Sequence, residues 1–305
     1  MSEVLKTIHL SNPQSDELKS LVLKVRRDCP GQIQSRYLAR LAVYENEFPV
    51  RLGDIFWDAP RPLLITNLPE FSDVEDSKIL VLAIGEAIGK CAGYSEYNQS
   101  YITDIRPTSL SHESSSGLEL LTMHNDLTFA SDRCRPAALA LVAHTAEGKV
   151  PKTLLAEATE IAASLTEREL GLLHRDIYEI RAGGKLRWPC EQIRRISILD
   201  RDPADRLRIR MSFDNIRPIA GLDEDTSREA EAALKRVTEL ALVAGRKNGH
   251  IIRKGEALLI PNDYALHGRD LFEDEDFDRL LFRSYVITRD MARHQHGNTM
   301  ISLRL

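Results

Sequence analysis

The spacing of hydrophobic positions changes character along the chain. In residues 15–27, Leu18, Leu21, Val22 and Val25 recur every three or four residues, the spacing of one helical face, and Cys29-Pro30-Gly31 closes the segment. Helical spacing returns in residues 34–44, 76–91 and 227–244, the last stopped by Gly245. Thr166-Glu-Arg-Glu169 matches a capping box and starts a helix over 166–175, after another over 158–165. Elsewhere the apolar runs are short and bounded by turn residues. Segments 63–66, 101–105, 121–129, 139–144, 153–156, 177–181, 196–199, 206–213 and 279–287 read as strands. Residues 250–253 and 257–261 read as a hairpin about Lys254-Gly255-Glu256.

Many short strands, helices gathered toward the first half and no strand-helix-strand alternation predict an α+β fold: an antiparallel β core with helices packed outside. At 305 residues the chain is read as one domain, with 1–110 a mainly helical flank plus the first strands, and 111–290 the β core. A doubly wound sheet or a TIM barrel fits poorly. No glycine-rich phosphate loop follows a strand, so a nucleotide cradle is missing.

Composition narrows the partners. Charged residues at 29% and apolar residues at 43% are ordinary for a globular protein, and a net charge of −5 leaves no basic footprint for nucleic acid or an anionic membrane. A small-molecule substrate is the expectation. The first residues carry early charge and lack the apolar stretch of a secretory signal, and no run approaches the roughly 20 apolar residues of a membrane span. Cys29, Cys91, Cys134 and Cys190 are scattered, which argues against a disulfide framework or a cysteine zinc site. Reduced thiols in a cytoplasmic protein are expected.

The chemistry begins at His124-Asn-Asp126. In a strand, residues two apart share a face, so this pair offers an imidazole and a carboxylate side by side. Non-haem Fe(II) oxygenases hold their metal with two histidines and one carboxylate. His267, in Leu266-His-Gly-Arg269, supplies the second histidine. Arg279 and Arg283 stand four apart on an apolar strand, so both can face one cavity. A buried guanidinium needs an anion, and two of them imply two anionic groups there. Taken alone, His-x-Asp is a common coincidence, and His294-Gln-His296, with the same spacing, is read as part of a solvated tail. The order of ligands followed by two arginines is what distinguishes the first set.

His124-x-Asp126, His267 and the arginine a dozen residues beyond it resemble the Fe(II)- and 2-oxoglutarate-dependent dioxygenases, within them the clavaminate synthase-like and taurine dioxygenase-like group. Leu266-His-Gly-Arg269 and Asp278-Arg-Leu-Leu-Phe-Arg283 are most like its free amino acid hydroxylases, which act on arginine, asparagine or lysine. The likeness spans residues 118–288. It implies a double-stranded β-helix (jelly-roll) core, and Fe(II) with 2-oxoglutarate and O₂ as co-substrates. By the same resemblance His124, Asp126 and His267 are the iron ligands, Arg279 and Thr153 hold 2-oxoglutarate, and Arg283 and Asp214 hold the substrate. Gln99 and the loop 114–116 fall near family substrate contacts. The family's arginine hydroxylases usually carry Glu where Asp126 stands and paired acidic residues in the substrate pocket, so the resemblance does not single out arginine; its halogenases carry a small residue there, so it does not imply halogenation. Desaturation or cyclisation, a sulfonate or carrier-bound acyl substrate, and a non-catalytic jelly-roll binding protein are the alternatives.

Overall fold

A computed structural model describes residues 5–96, 99–108, 116–181, 193–212, 215–273 and 277–303. The strands are β1 (Lys6–His9), β2 (Leu63–Thr66), β3 (Lys90–Tyr94), β4 (Thr103–Ile105), β5 (Leu121–His124), β6 (Ala138–Gly148), β7 (Thr153–Glu157), β8 (Tyr178–Arg181), β9 (Ile193–Ile196), β10 (Leu199–Arg201), β11 (Leu207–Ile209), β12 (Ile216–Pro218), β13 (Ala257–Pro261), β14 (Ala265–Arg269), β15 (Phe277–Ile287) and β16 (Met300–Ile301). The helices are α1 (Asn12–Asp28), α2 (Gln34–Val43), α3 (Leu52–Asp58), α4 (Val74–Ile88), α5 (Ala158–Ala162), α6 (Glu167–Leu173), α7 (Glu224–Lys247) and α8 (Arg289–His294). The chain thus mixes helices with largely antiparallel sheets.

The long strands β6 and β15 pair antiparallel at the centre of an eight-stranded sheet ordered β1-β2-β13-β6-β15-β3-β16, with β4 beside β3 along the same edge of β15. This sheet is a partition, and side-chain parity shows it. Ala138, Ala140 and Val142 of β6, with Leu280, Phe282 and Val286 of β15, join a core that includes the buried faces of α1, α2 and α4. Leu139, Leu141 and Ala143, with Leu281, Tyr285 and Ile287, join a second core on the opposite side. A strand buried on both faces has no polar alternation to show, which is why β6 begins as an unbroken apolar run.

The second core is closed by a three-stranded sheet ordered β5-β14-β7. There α7 lies against one face: a Cβ on its Gly245 would come within 2.7 Å of Met123 Sδ and 3.2 Å of Leu154 Cβ. A Cβ on Gly268 of β14 would meet the Leu121 carbonyl oxygen at 2.6 Å, so glycine lets β5 close on β14. Met123, Leu154 and Gly268 face the helix, and by period two His124, Leu155 and His267 face the interior. No helix among the described residues is long and apolar enough to cross a membrane. Cys29, Cys91 and Cys134 are buried free thiols.

Several elements differ from their sequence reading for local reasons. Helix α1 starts at Asn12, because Ser11 and Gln14 form a capping box and Pro13 occupies the first turn, where its missing N–H costs nothing. Helix α7 is capped by Asp223 and continues past Gly245 to Lys247; that glycine serves close packing rather than termination. The 250–260 hairpin does not form. Both His250 backbone groups bond Thr153, and β13 pairs instead with β2 and β6. The expected 206–213 strand is shortened to Leu207–Ile209, and 196–199 divides between β9 and β10.

Candidate metal centre

Cross-strand pairing places His124 of β5 directly opposite His267 of β14, with ring centroids 4.5 Å apart. Asp126 joins them from beyond the strand: β5 ends at His124, and residues 126–129 form a turn in which Leu127 takes φ +53°. A leucine in the left-handed region is strained, and such strain persists only where the surroundings over-determine it. His124 Nε2 lies 3.3 Å from Asp126 Oδ1, and His267 Nε2 lies 3.8 Å from Oδ2. One ligand atom from each of the three falls within 4.8 Å of the others.

Two asparagines hold that turn, and the sequence reading passed over both. Asn262, fully buried after β13, accepts from the Asp126 N–H through Oδ1 (2.8 Å), and its Nδ2 donates to the carbonyls of Asp126 (3.0 Å) and Pro136 (2.9 Å). Asn125 donates to the carbonyls of Asn262 and Ala265, and its Oδ1 accepts from the Met211 N–H. Arg210 secures the next residues through the carbonyls of Thr128 and Ala130. Asn262→Ala strands a buried N–H and two carbonyls. It should lower unfolding free energy by about 3 kcal/mol, read from the urea midpoint at unchanged m-value. An asparagine between apolar strands carries no motif; only its neighbours in space reveal it.

The protonation of the cluster bears on metal binding. His124 Nδ1 donates to the Thr122 carbonyl at 2.7 Å, which presents Nε2 to Asp126. Burial opposes the charged ring, but the Asp126 carboxylate outweighs it and raises the His124 pKa above the ordinary histidine value, so a metal ion competes with a proton there. Burial lowers the His267 pKa to about 3, with the His124 charge acting the same way, so this imidazole is neutral at physiological pH. Burial alone would raise Asp126, but Arg283 and the two histidines outweigh it and hold the carboxyl well below its usual range. A neutral imidazole and an ionised carboxylate are the forms a divalent cation binds.

Both arginines of β15 face this cluster's side of the sheet. Arg283 Nη1 donates to Asp126 Oδ2 at 3.0 Å, and its guanidinium lies 4.6 Å over the Tyr285 ring. Arg279 is 6% exposed, and its buried Nη1 has no hydrogen-bond partner among the described residues. Burial and the neighbouring Arg269 charge lower its pKa to about 9, which still leaves it a cation at neutral pH. Arg269 is itself occupied, donating to the carbonyls of Gly117 and Glu119 and so fastening the approach to β5. The buried Thr153 sits opposite Arg269 on β7, two residues from Leu155, which faces His267. Asp214, Ser114 and Ser115 lie outside the described residues. Ser116 is buried and Gln99 has φ +49°; neither meets the metal cluster through a described contact. His294 and His296 are exposed at the end of α8, as a solvated tail requires.

The donor set fits a non-haem iron: two imidazole nitrogens and a carboxylate brought together, with an orphaned guanidinium, Arg279, on the same side of β15. No family model matches the chain. Its sequence is 24% identical over 224 residues to an L-lysine 3-hydroxylase of Catenulispora acidiphila, covering 71% of this chain; the matched stretch spans 60% of that relative. Among solved structures, an asparagine oxygenase in complex with Fe(II), 2S,3S-3-hydroxyasparagine and succinate superposes with a TM-score of 0.82 at 16% identity, over 97% of this chain and 99% of that one. The non-haem iron oxygenase OrfP, in complex with Fe, succinate and (3S)-hydroxy-L-Arg, gives 0.77 at 20% identity, over 97% and 99%. The chain therefore has the fold of these non-haem iron oxygenases.

Proposed function

We propose that this protein is an Fe(II)- and 2-oxoglutarate-dependent oxygenase that hydroxylates an unactivated C–H bond of a free amino acid, with residues 1–305 acting as one catalytic unit. The observation that carries the proposal is Arg279: a buried guanidinium with an unpartnered Nη1 on the metal-cluster side of β15, the strand that also aims Arg283 at that cluster. The β5-β14-β7 sheet and the β13-β6-β15 face opposite it are read as the two halves of a double-stranded β-helix.

In this reading His124, Asp126 and His267 hold the iron, which when bound couples 2-oxoglutarate decarboxylation to oxidation of the substrate. The chain's own work is placement. Arg279 fixes the distal carboxylate of 2-oxoglutarate with a planar fork that matches its two oxygens, and Thr153 contributes a hydroxyl to the same co-substrate. Arg283 holds the substrate α-carboxylate, and Asp214 is assigned the opposite, cationic end of the substrate. Asp126, His267 and Arg279 are each less than 9% exposed, so water competes little for these ion pairs and their geometry is kept.

The test is coupled turnover. With Fe(II) and 2-oxoglutarate, L-asparagine, L-arginine, L-lysine, their N-modified forms and small sulfonates are compared by succinate formation and product mass. One amino acid should gain 16 mass units with stoichiometric succinate. Turnover of a sulfonate or a carrier-bound acyl group with none of the amino acids would overturn the amino acid assignment, and a product lighter by two hydrogens would replace hydroxylation by desaturation.

A further inference from the structure

Asp126 is asked to serve two cations. Its Oδ2 already accepts from Arg283 Nη1 at 3.0 Å and lies 3.8 Å from His267 Nε2, while Oδ1 lies 3.3 Å from His124 Nε2. The carboxylate that a metal ion needs is thus the carboxylate that now neutralises a guanidinium. The Arg283 and Asp126 side chains are each 11% exposed, so neither charge is well screened by water. Tyr285, two residues along the same face of β15, supports the guanidinium from below, and its other side packs edge-on against Tyr94 at 5.4 Å. Arg283 is therefore held beside the ligand by packing as well as by charge.

We infer that Arg283 is a cation shared between Asp126 and the substrate carboxylate, so that an anionic substrate and the metal ion bind cooperatively. The inference rests on the iron-site reading above. Without substrate, the guanidinium leans on Asp126 and repels an incoming divalent ion. A substrate carboxylate supplies Arg283 with its own counter-charge and returns the negative charge of Asp126 to the metal. Linkage makes the effect reciprocal: whatever the substrate adds to metal affinity, the metal adds to substrate affinity. The arrangement keeps the metal more weakly held until an acid of the right shape has arrived.

Mn(II) binding to the full chain, measured anaerobically by calorimetry without co-substrate, tests the inference. Arg283→Gln should bind Mn(II) about tenfold more tightly than the parent, within the usual range of such couplings, whereas Arg283→Lys, which keeps the charge, should stay within about threefold. Arg283→Met, which keeps an aliphatic stem over Tyr285, should tighten like the glutamine variant and guards against a local folding defect. In the parent protein, the amino acid that supports turnover should tighten Mn(II), and its methyl ester should not. Unchanged or weaker binding in both Arg283→Gln and Arg283→Met overturns the sharing. Mn(II) binding that survives His124→Ala instead overturns the metal-site reading, so the two failures are distinguishable.

Discussion

Anaerobic addition of Fe(II) and 2-oxoglutarate to the His124→Ala variant should give no visible charge-transfer band, while the parent protein shows a weak one. Turnover should fall by more than the roughly 100-fold that loss of a residue merely orienting a ligand can cost. His124 contributes one of three donors, its Nδ1 is committed to the Thr122 carbonyl, and no other described histidine, cysteine or carboxylate completes a second cluster. The fold should survive, because His124 faces Asp126 and His267 rather than the apolar packing around α7. Mn(II) at a hundred times its dissociation constant should stabilise the parent by about 2.7 kcal/mol. The variant should show no such shift in melting temperature. A band of unchanged intensity in His124→Ala would place the metal elsewhere.

Arg279→Met should have two opposite consequences, and their combination is the informative result. Affinity for 2-oxoglutarate should drop about 100-fold, the roughly 3 kcal/mol expected when a charge-assisted pair is lost. Without co-substrate, the same variant should be more stable than the parent by about 1–3 kcal/mol, because a buried charge lacking a full set of partners is replaced by an apolar chain of similar length. Urea unfolding with and without 2-oxoglutarate reads both effects in one experiment. A structural arginine would behave oppositely, its loss destabilising the ligand-free protein. That outcome would remove Arg279 from the co-substrate site.

The parts of the fold that could be read from the chain are those whose signal is local. The capping box at Thr166, the amphipathic faces of α1 and α7 and the apolar run of β6 each depend on neighbours in sequence, and each stands close to where it was expected. The hairpin at 250–260 failed because a turn signal does not say whether two short runs prefer each other; β2 and β6 offered β13 a better surface. The metal cluster was visible because its residue types are uncommon in this order. Its support was not: Asn125, Asn262 and Arg210 act through backbone groups distant in sequence, and amides or guanidiniums in such roles leave no spacing to detect. His124 and Asp126 do come together, but not by sharing a strand face, since Asp126 arrives through a strained turn rather than along β5.

The partition of the large sheet has a consequence for anyone who redesigns this protein. Along β15, Leu280, Phe282 and Val286 belong to the core beneath the helical layer, while Leu281 and Tyr285 belong to the other core and Arg283 reaches the metal cluster. Adjacent positions on one strand thus belong to different engineering problems. A library confined to the first set would tune thermal endurance while leaving the surroundings of the metal cluster largely alone. One confined to Leu281, Arg283 and Tyr285 would alter the surroundings of the metal cluster at little risk to the helical half, and alternating the two in successive rounds would let each gain in durability carry the next change on that side.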